Sequence, residues 1–195
     1  MPEPVRPRPP LALTLGPGYL ASSLGGNFTA NLGADFPVSR YAWLSLFVQV
    51  PVTSKELVRT FPLAPALSSN VYAGITGLGA TLPLMDANGT FVPRIGGGWG
   101  IAWLHVRPNT VAEQDPSALA TGARPLVANE SQDLLSPCIY GSVGASYRVS
   151  GAWRVSVEGL GGLNVGEFVV RYARAPVAYW GWPFGSVAIR AEVGL

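Results

Sequence analysis

His105 is the only histidine of the chain, and so the only imidazole available to move protons near neutral pH. Base catalysis on a nucleophile needs a hydroxyl or thiol within reach of the imidazole. A metal centre needs clustered ligands, which one histidine and one cysteine, Cys138, do not supply. No metal and no cofactor is therefore expected. Glu158 beside Arg190 or Arg154 has the composition of an acid and its modulator, yet opposite charges inside a narrow fold are ordinarily structural partners. Gly96-Gly97-Gly98 lacks the helix and the Lys-Ser/Thr pair that a phosphate loop requires. No catalytic residue is expected; His105 is the single candidate, and its ordinary reading is a polar residue at an interface.

Composition limits what holds these residues in place. Of 195 residues, 48% are hydrophobic and 12% charged, the latter about half the usual share. Such a chain has too few charges to cover a surface facing water. The net charge of +2 comes from scattered residues, with no basic run beyond Arg6 and Arg8, which argues against nucleic acid. The single cysteine rules out an intramolecular disulfide and reads as a small packed side chain. Two uncharged stretches, 9–34 and 60–85, are long enough for a membrane helix. Pro17, Pro62, Pro65 and Pro83, with Gly16, Gly18, Gly74, Gly77 and Gly79, would break one repeatedly. After Arg6 and Arg8 the apolar stretch runs only from Leu11 to Leu15, short for the core of a secretory signal. Residues 1–10 are expected to form a flexible Pro-rich segment, and 11–195 a single domain.

Periodicity of two dominates that domain. Within 138–149, Ile139, Val143, Ala145, Tyr147 and Val149 oppose Tyr140, Ser142, Ser146 and Arg148. Within 153–165, Trp153, Val155, Val157, Leu163 and Val165 oppose Arg154, Ser156, Glu158 and Asn164. Within 186–195, Val187, Ile189, Ala191, Val193 and Leu195 oppose Ser186, Arg190 and Glu192. Segment 27–38 sets Phe28, Ala30, Leu32, Ala34 and Phe36 against Asn27, Thr29, Asn31 and Asp35, and segment 41–52 carries a row from Leu44 to Val52. A weaker strand near 10–20, with strands at 70–84 and 91–106, predicts eight. Short turns fall near Ser39-Arg40, Asn88-Gly89 and Ser150-Gly151, and longer links near 16–26, 53–69, 107–137 and 166–183. That alternation predicts an eight-stranded antiparallel up-and-down transmembrane β-barrel with both termini at the short-turn rim.

A type I′ turn at Asn88-Gly89 predicts the register Leu82 with Ile95, Leu78 with Trp99 and Thr76 with Ile101. The other face then collects Gly77, Gly79, Gly96 and Gly98, beside the large Trp43 and Phe47 of the neighbouring strand. Large against small predicts a lumen filled by side chains. Arg148, Arg154, Glu158, Arg190 and Glu192 face the same way and are expected to form a hydrogen-bonded ion network there. The same register turns His105 outward beside Tyr72. Trp99, Trp103, Tyr179, Trp180 and Trp182 are expected in interfacial aromatic belts.

Eight strands with turns at one rim and loops at the other make the whole chain resemble the small bacterial outer-membrane barrels: the OmpA transmembrane domain, OmpX and the OmpW-like proteins. The strand from Ser186 to Leu195 resembles their terminal strand, with Leu195 where an aromatic residue is usual. The resemblance implies an integral outer-membrane protein in contact with lipid, termini on the periplasmic side, and a structural, envelope-anchoring or surface-interaction role. Loop 107–137, with Glu113, Asp115, Glu130 and Asp133, is then the expected contact surface for a ligand or envelope protein. His105 also resembles in placement the catalytic histidine of outer-membrane lipid A deacylases, whose His-x-Ser pair faces lipid; here Arg107 stands in the serine's place. A lipid-modifying enzyme and a small-solute channel are the alternative functions, and a lipocalin-like soluble barrel the alternative fold.

Overall fold

The computed structural model describes residues 11–39, 41–61, 64–108, 131–166, 168–172 and 175–195. The segment 1–10 and most of loop 107–137, including Glu113, Asp115 and Glu130, lie outside the described residues. Eleven strands follow in chain order: β1 (Ala12–Ser22), β2 (Gly25–Pro37), β3 (Trp43–Pro51), β4 (Lys55–Phe61), β5 (Ala64–Pro83), β6 (Phe91–Pro108), β7 (Gln132–Ser150), β8 (Trp153–Asn164), β9 (Phe168–Tyr172), β10 (Ala175–Trp180) and β11 (Phe184–Gly194). All pair antiparallel. The main sheet runs β3-β2-β1-β11-β8-β7-β6-β5-β4, and β3 also pairs with β5, which closes it.

Eight barrel positions result, because β3 and β4 lie in succession against β5 as one interrupted strand. The hairpin β9–β10 similarly prolongs β8 and β11 beyond the barrel wall. Following paired residues once round, from Ala12 through Asp35, Ser45, Gly79, Gly98, Tyr140, Gly162 and Phe184, leads back to β1 at Ser22, ten residues farther on. That stagger makes the strands tilt steeply to the axis. The first described residue and the C-terminus sit at one rim: the Leu195 amide bonds to the Leu11 carbonyl, and the β2–β3, β5–β6 and β7–β8 connections lie at the same end.

The eight-stranded closed barrel is as the sequence predicts, and so is the β5–β6 register, with Leu82 opposite Ile95, Leu78 opposite Trp99 and Thr76 opposite Ile101. Three details differ. The expected link at 16–26 is strand, and β1 turns into β2 through Ser23-Leu24 alone, with Gly25 at φ +93° in the left-handed region that glycine tolerates. The links expected at 53–69 and 166–183 are largely strand too, forming β4–β5 and β9–β10. Finally, Asn88-Gly89 is not a two-residue turn: Gly89 donates to the Asp86 carbonyl and the Asn88 amide to Asp86 Oδ1, within a longer connection over 84–90.

Facing changes partway up the wall. Near the short-turn rim the outward residues are apolar, among them Leu82, Ile95, Val143, Val157 and Ile189, and the inward ones polar. Farther up, β5 and β6 turn Val71, Ala73, Ile75, Ala102, Leu104 and Val106 inward and bury them. The oily face thus moves from outside to inside along single strands.

Candidate functional site

The lumen is layered. Nearest the short-turn rim, Arg94 Nη2 donates to Glu192 Oε2 at 2.6 Å, and its other terminal nitrogen lies 3.6 Å from Asp35 Oδ2. Arg94 and Glu192 are buried, and the Arg94 guanidinium also lies 5.8 Å from the centre of the Trp43 ring. Beside this cluster Arg190 donates to the Glu158 carboxylate. Opposite charges paired across a lumen this narrow recover part of the cost of leaving water, and each partner depends on the other.

The sequence placed five residues in one network, and the structure divides them. Glu158 with Arg190, and Glu192 with Arg94, are ion pairs. No ion pair among the described residues includes Arg148 or Arg154. Arg154 instead donates to the carbonyls of Ala87 and Gly89 at 3.0 and 2.9 Å and to Ser146 Oγ, and Arg148 donates to the carbonyl of Asn88. Arg94 and Asp35, which hold the centre of the charged layer, were not among the expected network. A signal for Arg94 existed, since it shares its strand face with Gly96 and Gly98.

Above the charges, Phe47 meets Tyr140 edge to face with ring centres 5.2 Å apart. A Cβ built on Gly77 would lie 2.5 Å from the Phe47 ring and 3.0 Å from that of Tyr140, and one on Gly79 would lie 2.5 Å from the Tyr140 hydroxyl. Glycine at these positions is what admits the two rings. A Cβ on Gly96 would meet Ser142 and Thr81, and one on Gly98 the backbone of β5. Trp43 packs in the lumen beside Arg94, and Tyr140, unforeseen, is the second ring over Gly77 and Gly79. At this level Gln49 reaches Ser186 Oγ at 2.9 Å, and Asn27 reaches the Ala73 carbonyl at 3.1 Å.

The far end is apolar. Leu20, Ile75, Leu104 and Val106 pack with Cys138, Phe168, Trp180 and Phe184, all buried. Trp180 is therefore no belt residue; it stacks between Phe168 and Phe184 inside. Trp99, Tyr179 and Trp182 are exposed, and Trp103 lies across Gly74 on the outer wall. Among the described residues no group of three or more histidine, cysteine or acidic residues could hold a metal ion.

His105 pairs in register with Tyr72, ring centres 6.0 Å apart, and half-exposed on the outer wall. Its partner is Asp133 of β7, whose Oδ1 lies 2.6 Å from Nδ1. That contact holds the imidazole through Nδ1 and leaves Nε2 without a hydrogen-bond partner among the described residues.

No protein-family profile and no curated protein matches the sequence. Solved structures do match. The Neisserial surface protein A (NspA) is 11% identical, with 97% of this chain and 100% of that one covered at a TM-score of 0.59. The outer membrane protein OprG of Pseudomonas aeruginosa is 12% identical, with 96% and 98% covered at 0.55. The attachment invasion locus protein Ail of Yersinia pestis is 7% identical, with 96% and 99% covered at 0.53. The fold is that of the small outer-membrane barrels. These likenesses span nearly the whole chain and are likenesses of architecture.

Proposed function

We propose that the chain is an integral protein of a bacterial outer membrane, with its termini on the periplasmic side, whose work is done at its surface and in the envelope rather than through its lumen. The observation that carries this reading is the filled interior, where Phe47 and Tyr140 meet over Gly77 between a charged layer and an apolar one. The exposed apolar residues of the short-turn half fit a wall in contact with lipid. The partner reading falls on the connection between β6 and β7, acidic at Glu113, Asp115 and Glu130; Asp133, expected in that loop, belongs to β7 instead. A solved structure of Ail holds the heparin analogue sucrose octasulfate, an example of a barrel of this architecture with a surface ligand. Purified protein in planar bilayers should show no steady conductance; steady ohmic current would overturn the reading in favour of a small-solute channel.

A second reading rests on the His105–Asp133 contact. An oriented imidazole on the outer wall would serve an enzyme acting on membrane lipid, although Arg107 occupies the place where a His-x-Ser pair has its nucleophile. Mass spectrometry of lipid A from cells expressing the chain tests it. A mass change that disappears with His105→Ala supports the enzyme, and an unchanged lipid removes it.

A further inference from the structure

Val92 is the outermost inward-facing residue of β6, at the short-turn rim, where a barrel mouth would normally leave it wet. It is 0% exposed. Ala87, in the connection 84–90, is 6% exposed, and Ser146 is also buried. The connection is thus folded over the mouth and not extended away from it. Its three successive carbonyls are all taken by arginines of the strands that follow β6 round the wall: Ala87 and Gly89 by Arg154 of β8, and Asn88 by Arg148 of β7. The Arg148 amide adds a bond to the Thr90 carbonyl, and the Leu84 amide bonds to that of Pro93.

Arg148 and Arg154 stand directly opposite each other on β7 and β8. Like charges in that relation repel. No ion pair among the described residues relieves them. Carbonyl oxygens do, and they come from the connection 84–90. Hydrogen bonds to charged donors are stronger than neutral ones, so three of them suffice to hold a short connection in place.

We infer that residues 84–90 form a lid over the short-turn mouth of the lumen, latched by Arg148 and Arg154. Behind it lies a polar cavity of about 20 Å³ lined by Asp35, Arg94, Glu158 and Arg190, followed by Phe47 and Tyr140. The lumen is then sealed twice, by the latched lid at one end and by packed side chains beyond. This rests on the closed-barrel reading and adds that the lid's seal is separate from that of the core.

The test is access from the short-turn side. In the full chain folded in detergent, Cys138→Ser removes the native thiol and Ser156→Cys places a reporter at a buried inward position. The probe is anionic sulfonatoethyl methanethiosulfonate. Arg148→Gln with Arg154→Gln removes the latch. In a second variant an Asn-Gly turn replaces 85–89 and keeps both arginines, so that either folded variant decides. Both should label at least about tenfold faster than the chain with an intact lid, the change expected from losing even one charge-assisted bond. Conductance should stay absent. An unchanged labelling rate in a variant that keeps heat-modifiable migration would overturn the lid, as would labelling of the intact chain as fast as its unfolded form. Steady conductance by the intact chain would instead sink the closed-barrel reading.

Discussion

The two ends of this lumen solve one packing problem with opposite materials. At the short-turn end the inward side chains are Asp35, Arg94, Glu158, Arg190 and Glu192, joined as ion pairs, and the outward ones are oily. At the far end Leu20, Ile75, Leu104 and Val106 fill the interior, and Asn70, Tyr72, His105 and Arg107 lie outside. On the outer-membrane reading proposed above, the change follows the solvent. Where lipid covers the wall, apolar residues belong outside and the few polar ones have only the lumen. Where the strands run on into water, the preference inverts, and the barrel is built like a soluble one with an apolar core.

The largest effect should come from breaking the charged end. Arg94→Met removes the partner of both Glu192 and Asp35 and leaves two carboxylates facing each other out of water. The expected cost is about 3 to 5 kcal/mol. Urea titration of the barrel refolded in vesicles would read it; a loss under about 1 kcal/mol would mean that the layer is hydrated. At the other end, Leu104→Ala opens a cavity in a fully packed core and should cost about 2 to 5 kcal/mol. Its tolerance without loss would show that the apolar layer is loosely filled.

How far the sequence reached follows the same division. Strands β2, β7, β8 and β11 are legible because exposed outward Phe, Val and Ile alternate with polar lumen residues along most of their length. The glycine face of β5 and β6 was legible from register alone. The short turns at 38–42 and 151–152 were legible too, but the longer connections were not. Gly16, Pro17 and Gly18 read as a loop, yet they form strand, because a Cβ on Gly16 would strike the Ile189 carbonyl at 1.9 Å and small residues are what let β11 approach. Toward the far end the alternation reverses, so β4 and the ends of β5 and β6 carry no continuous outward oily row to announce them. Arg148 and Arg154 read as ion-network residues because a sequence shows charges and hides the carbonyls of a folded-back turn. The 2.6 Å contact of Asp133 with His105 depends on the β6–β7 register across a long connection, which nothing local specifies.

The lipid boundary itself can be tested by one charge moved along the outer wall. Val157 is an exposed outward residue near the middle of β8, within the half whose oily face is outside. Val157→Arg should cost about 2 to 4 kcal/mol, the range for a basic residue at the midplane of an outer-membrane barrel.

Val58, in β4, is also outward and exposed, but it lies beyond the level at which β5 and β6 bring their apolar residues inside. Val58→Arg should therefore change stability by no more than about 0.5 kcal/mol, as for an ordinary surface position in water. The inward Ser156 does not serve as the control: its neighbour Glu158 is already paired with Arg190, and Arg154 faces the same lumen, so an added arginine there would meet positive charge. Folding titrations of the two valine variants into vesicles, run side by side, decide the matter. A large penalty at Val157 with none at Val58 places the water boundary between them. Equal penalties would put β4 in lipid as well and break the contrast between the two ends, whereas equal tolerance would mean that neither half is immersed and would favour a soluble barrel.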